Sequence, residues 1–238
     1  MKLFSVLTLI CFTKTLYSSP VLGESKVSDR HINALLLGYS GSGKTTMVNI
    51  LHGMFDLVPG DERTIMNSNT RNSLDTVTKY DCYAEGINLH VVDTPGFDEN
   101  EIRNHGISCL IADQVPRLLK DGTNVLLFLF PAAGKIPSNI ATVFNFVSSL
   151  ITKESFKKRV IVFTKADAVI MTEEEEQSLI EEFKRNFLEL VPQADDFLNF
   201  AKYMFYRHTI GFGECRPMLY PEIRQVFAAQ VYSEFMKL

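Results

Sequence analysis

The stretch that most constrains this chain is Gly38-Tyr39-Ser40-Gly41-Ser42-Gly43-Lys44-Thr45, which follows the apolar run Ala34-Leu35-Leu36-Leu37. It reads G-x-x-x-x-G-K-[ST] between a buried strand and a helix start, the context a phosphate-binding P-loop requires. Glycines let the backbone turn with positive φ, so several N–H groups converge on one point. The helix opening near Lys44 adds its partial positive end. Lys44 supplies a full charge for the β- and γ-phosphates, and the Thr45 hydroxyl can hold Mg²⁺. Gly41, Ser42, Gly43, Lys44, Thr45 and Thr46 are therefore the candidate phosphate-binding residues.

The apolar character of Ile32–Leu37 marks a strand covered on both faces, as in a parallel α/β sheet. A helix is expected from Lys44 to about Met54. Residues 55–78 are polar and without period, and read as a ligand-sensing loop. Lys79–Ala84 and Ile87–Val92 flank Glu85-Gly86 as an antiparallel hairpin. The periodicity predicts a helix carrying Ile107, Leu110, Ile111, Val115, Leu118 and Leu119, disturbed by Pro116. Next come a strand over Asn124–Phe130, a helix over Ile140–Ile151 and a strand over Val160–Phe163. Thr172 and Glu175 have the spacing of a capping box opening a helix that buries Phe183, Phe187 and Leu190. A strand over Tyr203–Thr209 and a terminal helix carrying Ile223, Val226, Phe227, Val231 and Phe235 complete the pattern. Alternating strands and helices define a doubly wound sheet. One domain over 31–238 follows, preceded by a segment over 1–30.

In such sheets ligands bind where loops leave the carboxyl ends of the strands. Two further boxes follow strands directly. Asp93-Thr94-Pro95-Gly96 puts a carboxylate where it can hold a water on Mg²⁺, and a glycine whose N–H can approach a γ-phosphate. Thr164-Lys165-Ala166-Asp167 selects the base: one carboxylate accepts both N1–H and the N2 amine of guanine, which adenine cannot offer. Hydrogen bonds to a charged partner contribute roughly 1.5–3 kcal/mol each, enough for a clear guanine preference from Asp167.

These boxes resemble those of the translation-factor-related GTPases, and most closely the immunity-associated nucleotide-binding (GIMAP or IAN) family, relatives of septins and Toc GTPases. Val77-Thr78-Lys79 before the hairpin and Phe130-Pro131-Ala132-Ala133-Gly134-Lys135-Ile136-Pro137 before FTKAD carry the subfamily likeness, which covers roughly residues 32–210. The resemblance implies a P-loop GTPase fold: an α/β three-layer sandwich on a mostly parallel six-stranded sheet with one antiparallel edge hairpin. It implies GTP/GDP and Mg²⁺ as cofactors, with Thr45, Thr78 and Asp93 around the metal and Lys44 and Thr78 as catalytic residues. Thr76 competes with Thr78 for the switch role. The family's arginine in the segment held by Gly134-Lys135 is missing, no last guanine-contact box follows Tyr203, and no hydrophobic tail follows the terminal helix. Phe97 stands where Ras-like enzymes place a water-orienting glutamine, so slow hydrolysis is expected. His105 and Lys135 are candidates for a group donated across a dimer.

A slow GTPase switch therefore competes with a GTP-binding assembly module that barely turns over, and an ATP-using protein is disfavoured by Asp167. A GTP-dependent homodimer is the expected assembly. The net charge of −4 gives no reason to bind nucleic acid, and Cys11, Cys82, Cys109 and Cys215 show no disulfide or zinc spacing. Those thiols suit a reducing compartment, the cytosol or the cytosolic face of a membrane. Met1-Lys2 followed by the apolar Leu3–Phe12 instead has the layout of a secretory or membrane-targeting signal, too short to span a bilayer. A docked N-terminal extension and a misassigned start are the other readings of that segment.

Overall fold

The computed structural model describes residues 30–51, 76–84, 87–150, 158–166 and 171–206. Outside them lie several expectations: the N-terminal segment, most of the ligand-sensing loop, Glu85-Gly86, Asp167, the end of the last strand and the terminal helix.

The apolar run before the P-loop forms β1 (Arg30–Gly38), which begins two residues earlier than its apolar core suggested, inside the linker assigned to 1–30. Strand residues alternate between faces, and β1 is buried on both: Leu35 and Leu37 enter one core, while Ala34 and Leu36 enter the other. The same double burial holds for β4 (Val125–Pro131) and β5 (Arg159–Thr164), whose near-continuous apolar runs have no solvent face to serve. The remaining strands are β2 (Thr78–Ala84), β3 (Ile87–Asp93) and β6 (Lys202–Phe205). They form one six-stranded sheet in the order β2-β3-β1-β4-β5-β6. β1 lies between β3 and β4 and is parallel to both. β2 alone is antiparallel, pairing Thr78 with Asp93 and Ala84 with Ile87. The expected sheet, including its antiparallel edge pair, is the one observed.

On one face α1 (Lys44–Leu51) buries Met47, Val48 and Leu51 against Ile32, Leu36, Leu89 and Val91. The other face carries α2 (Glu101–Leu118), α3 (Ile140–Leu150), α4 (Glu173–Leu190) and the short α5 (Asp195–Asn199). This second core is rich in aromatic edges: Phe130 meets Phe183 with ring centroids 4.9 Å apart, and Phe163 meets Phe183 at 5.1 Å. Such tilted contacts add about 0.5–1.5 kcal/mol each beyond their buried area.

Local signals explain the helix ends. The Thr172 side chain accepts from the Glu175 N–H and the Glu175 carboxylate accepts from the Thr172 N–H, a complete capping box. Pro116 sits in the last turn of α2, where it lacks the N–H that would bond the Ala112 carbonyl, and the helix ends two residues later. Leu190 departs from expectation. It shares the Phe183–Phe187 face by spacing, but as the last residue of α4 it is 42% exposed. No helix among the described residues is long and apolar enough to cross a membrane.

Candidate nucleotide site

All three sequence boxes leave the carboxyl ends of parallel strands of one sheet: the P-loop from β1, Asp93-Thr94-Pro95-Gly96 from β3 and Thr164-Lys165-Ala166 from β5. The sheet brings them to one edge because β1 is hydrogen-bonded to β3 on one side and to β4, the neighbour of β5, on the other.

The P-loop turns as its glycines allow. Gly43 has φ +90°, a conformation that side chains disfavour, just before α1 begins. Lys44 folds back over the loop, its Nζ donating to the carbonyls of Gly38 and Tyr39 at 3.0 Å each. Burial pushes its pKa down to about 8, while the Asp93 carboxylate pulls the other way. Thr45 Oγ1 donates to Asp93 Oδ2 at 2.7 Å. Thr46 is exposed in the same turn, and Gly41 holds φ +75° at the exposed tip of the loop.

Asp93 is the most constrained carboxylate of the site. Burial raises its pKa against the lowering effects of Thr45, Lys44 and the Thr94 amide. Its Oδ1 is buried without a hydrogen-bond partner, as is the Ser42 hydroxyl oxygen. A buried polar atom left unsatisfied costs about 1–3 kcal/mol, a cost that a bound polar group would remove. A hydroxyl and a carboxylate with a spare oxygen are hard donors of the kind Mg²⁺ takes. The residues present therefore fit the metal and phosphate groups expected from the sequence. Thr78 lies directly across the β2–β3 ladder from Asp93 and is exposed.

Other residues take parts that the sequence alone did not assign. A Cβ added to Gly96 would lie 2.6 Å from the backbone N and Cα of Ser40, so glycine is required by contact with the P-loop itself. Phe97 is fully buried, its ring edge-on to those of Tyr39 and Phe146. It is a core residue and points no group at the site. The Thr164 hydroxyl donates to the Ser42 carbonyl at 2.7 Å, with the Phe130 carbonyl a longer alternative acceptor at 3.3 Å, so it braces the P-loop from β5. Lys165 follows with φ +56°, the one non-glycine at positive φ among the described residues. Such a conformation costs on the order of 1–3 kcal/mol and clusters at functional positions. Lys135 and His105 are both exposed, and His105 approaches Cys109 Sγ one turn on at 3.8 Å.

A family model described as the AIG1 family matches residues 32–196. The chain belongs to the AIG1 family. This is the GTPase family, of IAN/GIMAP type, that the boxes resemble. No curated protein sequence matches this AIG1-family chain. Among solved structures it resembles Toc33 from Arabidopsis thaliana in complex with Mg²⁺ and GMPPNP, with TM-score 0.51 and 16% identity over 96% of this chain and 92% of that one. A dimerisation-deficient arginine-to-alanine Toc33 mutant gives TM-score 0.52 and 15% identity over 93% and 89%. The bacterial dynamin GTPase LeoA from ETEC gives 0.53 and 14% identity over 95% of this chain and 37% of that one. At such identities the likeness is one of fold, and the fold of this AIG1-family chain is that of the P-loop GTPases.

Proposed function

We propose that this AIG1-family protein binds guanine nucleotides with Mg²⁺ and hydrolyses GTP slowly, as a switch acting through a homodimer or a partner. The observation that carries the reading is the contact of Thr45 with Asp93 beside the buried Lys44 amine, with Asp93 Oδ1 left over. In this reading Lys44 holds the β- and γ-phosphates, and Gly41, Ser42, Gly43 and Thr46 line their path. Thr45, Thr78 and Asp93 hold the metal. Held by these residues, Mg²⁺ would supply charge neutralisation for the phosphates. Thr164 braces the loop, Lys165 offers its stem to the purine face, and Asp167 reads guanine. Segments 55–78 and 94–106 respond to the terminal phosphate. The Toc33 structures with Mg²⁺ and GMPPNP or GDP, together with the family membership, support the cofactors.

The buried Phe97 favours a second reading, a GTP-binding assembly module with negligible turnover, because no side chain there can orient water. Membrane association through the N-terminal segment and residence in the cytosol or on the cytosolic face of a membrane belong to the same proposal.

Calorimetry with GTP, ATP and GDP, with and without Mg²⁺, tests the binding. Heat for guanine nucleotides alone, strengthened by Mg²⁺, is expected, and equal heats for GTP and ATP would sink it. Asp167→Asn is expected to move preference toward xanthine nucleotides. Single-turnover hydrolysis then separates the two readings, since a rate no different from the protein-free control leaves only the assembly module.

A further inference from the structure

Tyr39 is the one aromatic side chain in the P-loop, and the phosphate-binding pattern gives it no task. Its hydroxyl donates to Asn139 Oδ1 at 2.9 Å, just ahead of α3. The amide of Asn139 donates at 2.7 Å to the carbonyl of Asp98, two residues beyond Gly96. The direction of this chain follows from chemistry: a carbonyl only accepts, so Asn139 must turn its NH₂ to Asp98 and its oxygen to the tyrosine. Asn104, buried in α2, closes the other side, its amide donating to the same Asp98 carbonyl at 2.7 Å and its oxygen accepting the Asp98 N–H at 2.9 Å. Two side-chain amides thus converge on one peptide oxygen.

The same short segment is stitched to the P-loop through its backbone. Ser40 N–H donates to the Phe97 carbonyl at 2.7 Å, and Phe97 N–H donates to the Gly38 carbonyl at 3.2 Å. Upstream, Thr94 Oγ1 donates to the Leu36 carbonyl at 2.7 Å. Gly96 is therefore held from both sides while lying against Ser40. We propose that Tyr39 and Asn139 are positioning residues that preset the Gly96 peptide relative to the P-loop, so that a terminal phosphate meets a donor already in place. Preorganised donors act without a reorganisation cost at the moment of binding. On the nucleotide reading Gly96 faces the terminal phosphate, so the latch distinguishes triphosphate from diphosphate.

This inference rests on the nucleotide reading above, and its test has one arm that does not. Tyr39→Phe removes only the hydroxyl and keeps the ring against Phe97. Asn139→Asp keeps an acceptor for Tyr39 but loses the donor to Asp98. In both variants, hydrogen–deuterium exchange of the nucleotide-free protein is expected to speed up over residues 97–104, and unchanged exchange in both overturns the latch. In the nucleotide arm, affinity for GMPPNP is expected to fall about three- to tenfold, as for one lost hydrogen bond, while that for GDP stays within about twofold. Equal losses for both nucleotides would overturn the positioning role and leave only a general support of the loop. The double variant is expected to be no worse than the poorer single one, because the two groups act in series. If the wild-type protein binds neither nucleotide, the functional reading falls and the exchange arm alone decides the latch.

Discussion

With its ammonium seated on the Gly38 and Tyr39 carbonyls, Lys44 is a cation held out of water by its own loop. Its pKa of about 8 in the folded chain lies below the ordinary 10.5. Between those values the unfolded chain carries the extra proton, so this residue makes stability rise with pH across that window. Nucleotide binding runs the other way. A triphosphate needs the charged amine, so affinity is expected to weaken as pH rises from below 8 to above it, with proton uptake on binding. Calorimetric titrations in buffers of different ionisation enthalpy measure that uptake; a flat affinity from pH 7 to 9.5 would contradict the charge assignment. Lys44→Ala is expected to abolish triphosphate binding in a protein that still unfolds cooperatively, and normal binding by that folded variant would remove the P-loop assignment.

At the scale of elements, the segment after β3 behaves as an extension of the sheet, bridged in parallel to the start of the P-loop at Tyr39 and Phe97. Gly96→Ala forces a methyl group against the Ser40 backbone and is expected to cost about 1–3 kcal/mol in a denaturant titration. Phe97→Gln is the informative variant of this element. Installing the residue Ras-like enzymes use would bury an amide in an aromatic core, at a cost on the order of 3 kcal/mol. It is expected to lower the melting temperature without speeding hydrolysis, and a faster rate in a stable variant would contradict the core placement. The helices teach a parallel lesson about short-range signals. The capping box of α4 was legible from Thr172 and Glu175 because both partners lie within one turn, and Thr172→Ala is expected to cost about 1 kcal/mol by thermal unfolding. Leu190 was misassigned because its spacing puts it on the buried face but does not say where along the helix the cover ends. Arg159 went unnoticed altogether. This buried guanidinium donates to the carbonyls of Asp196 and Phe197 and lies over the Phe197 ring, a tie between β5 and α5 that has no local sequence signature.

For the whole molecule, the sheet order places the P-loop strand between the strand carrying Asp93 and the β4–β5 pair that leads to Lys165. The P-loop, Asp93 and Lys165 thus come to one edge of a single sheet. What it lacks among the described residues is a side chain at Phe97 able to orient water. Hydrolysis per protein molecule is accordingly expected to climb with protein concentration, read by single-turnover phosphate release. A rate independent of concentration would argue against a group donated between copies.

The strands, their alternation with helices and the three boxes were readable from the chain because each rests on neighbours in sequence: periodicity, glycine spacing and a charged residue beside an apolar run. Those local patterns were enough to single out Lys44, Thr45 and Asp93, which the fold brings together, and to expect the antiparallel edge. Only the folded molecule decided that Gly96 answers to Ser40, that Thr164 supports Ser42 and that Tyr39 reaches Asp98 through Asn139. Each of these depends on groups separated by tens of residues meeting within hydrogen-bond or van der Waals distance, and a linear pattern carries no record of which distant groups the sheet will bring together.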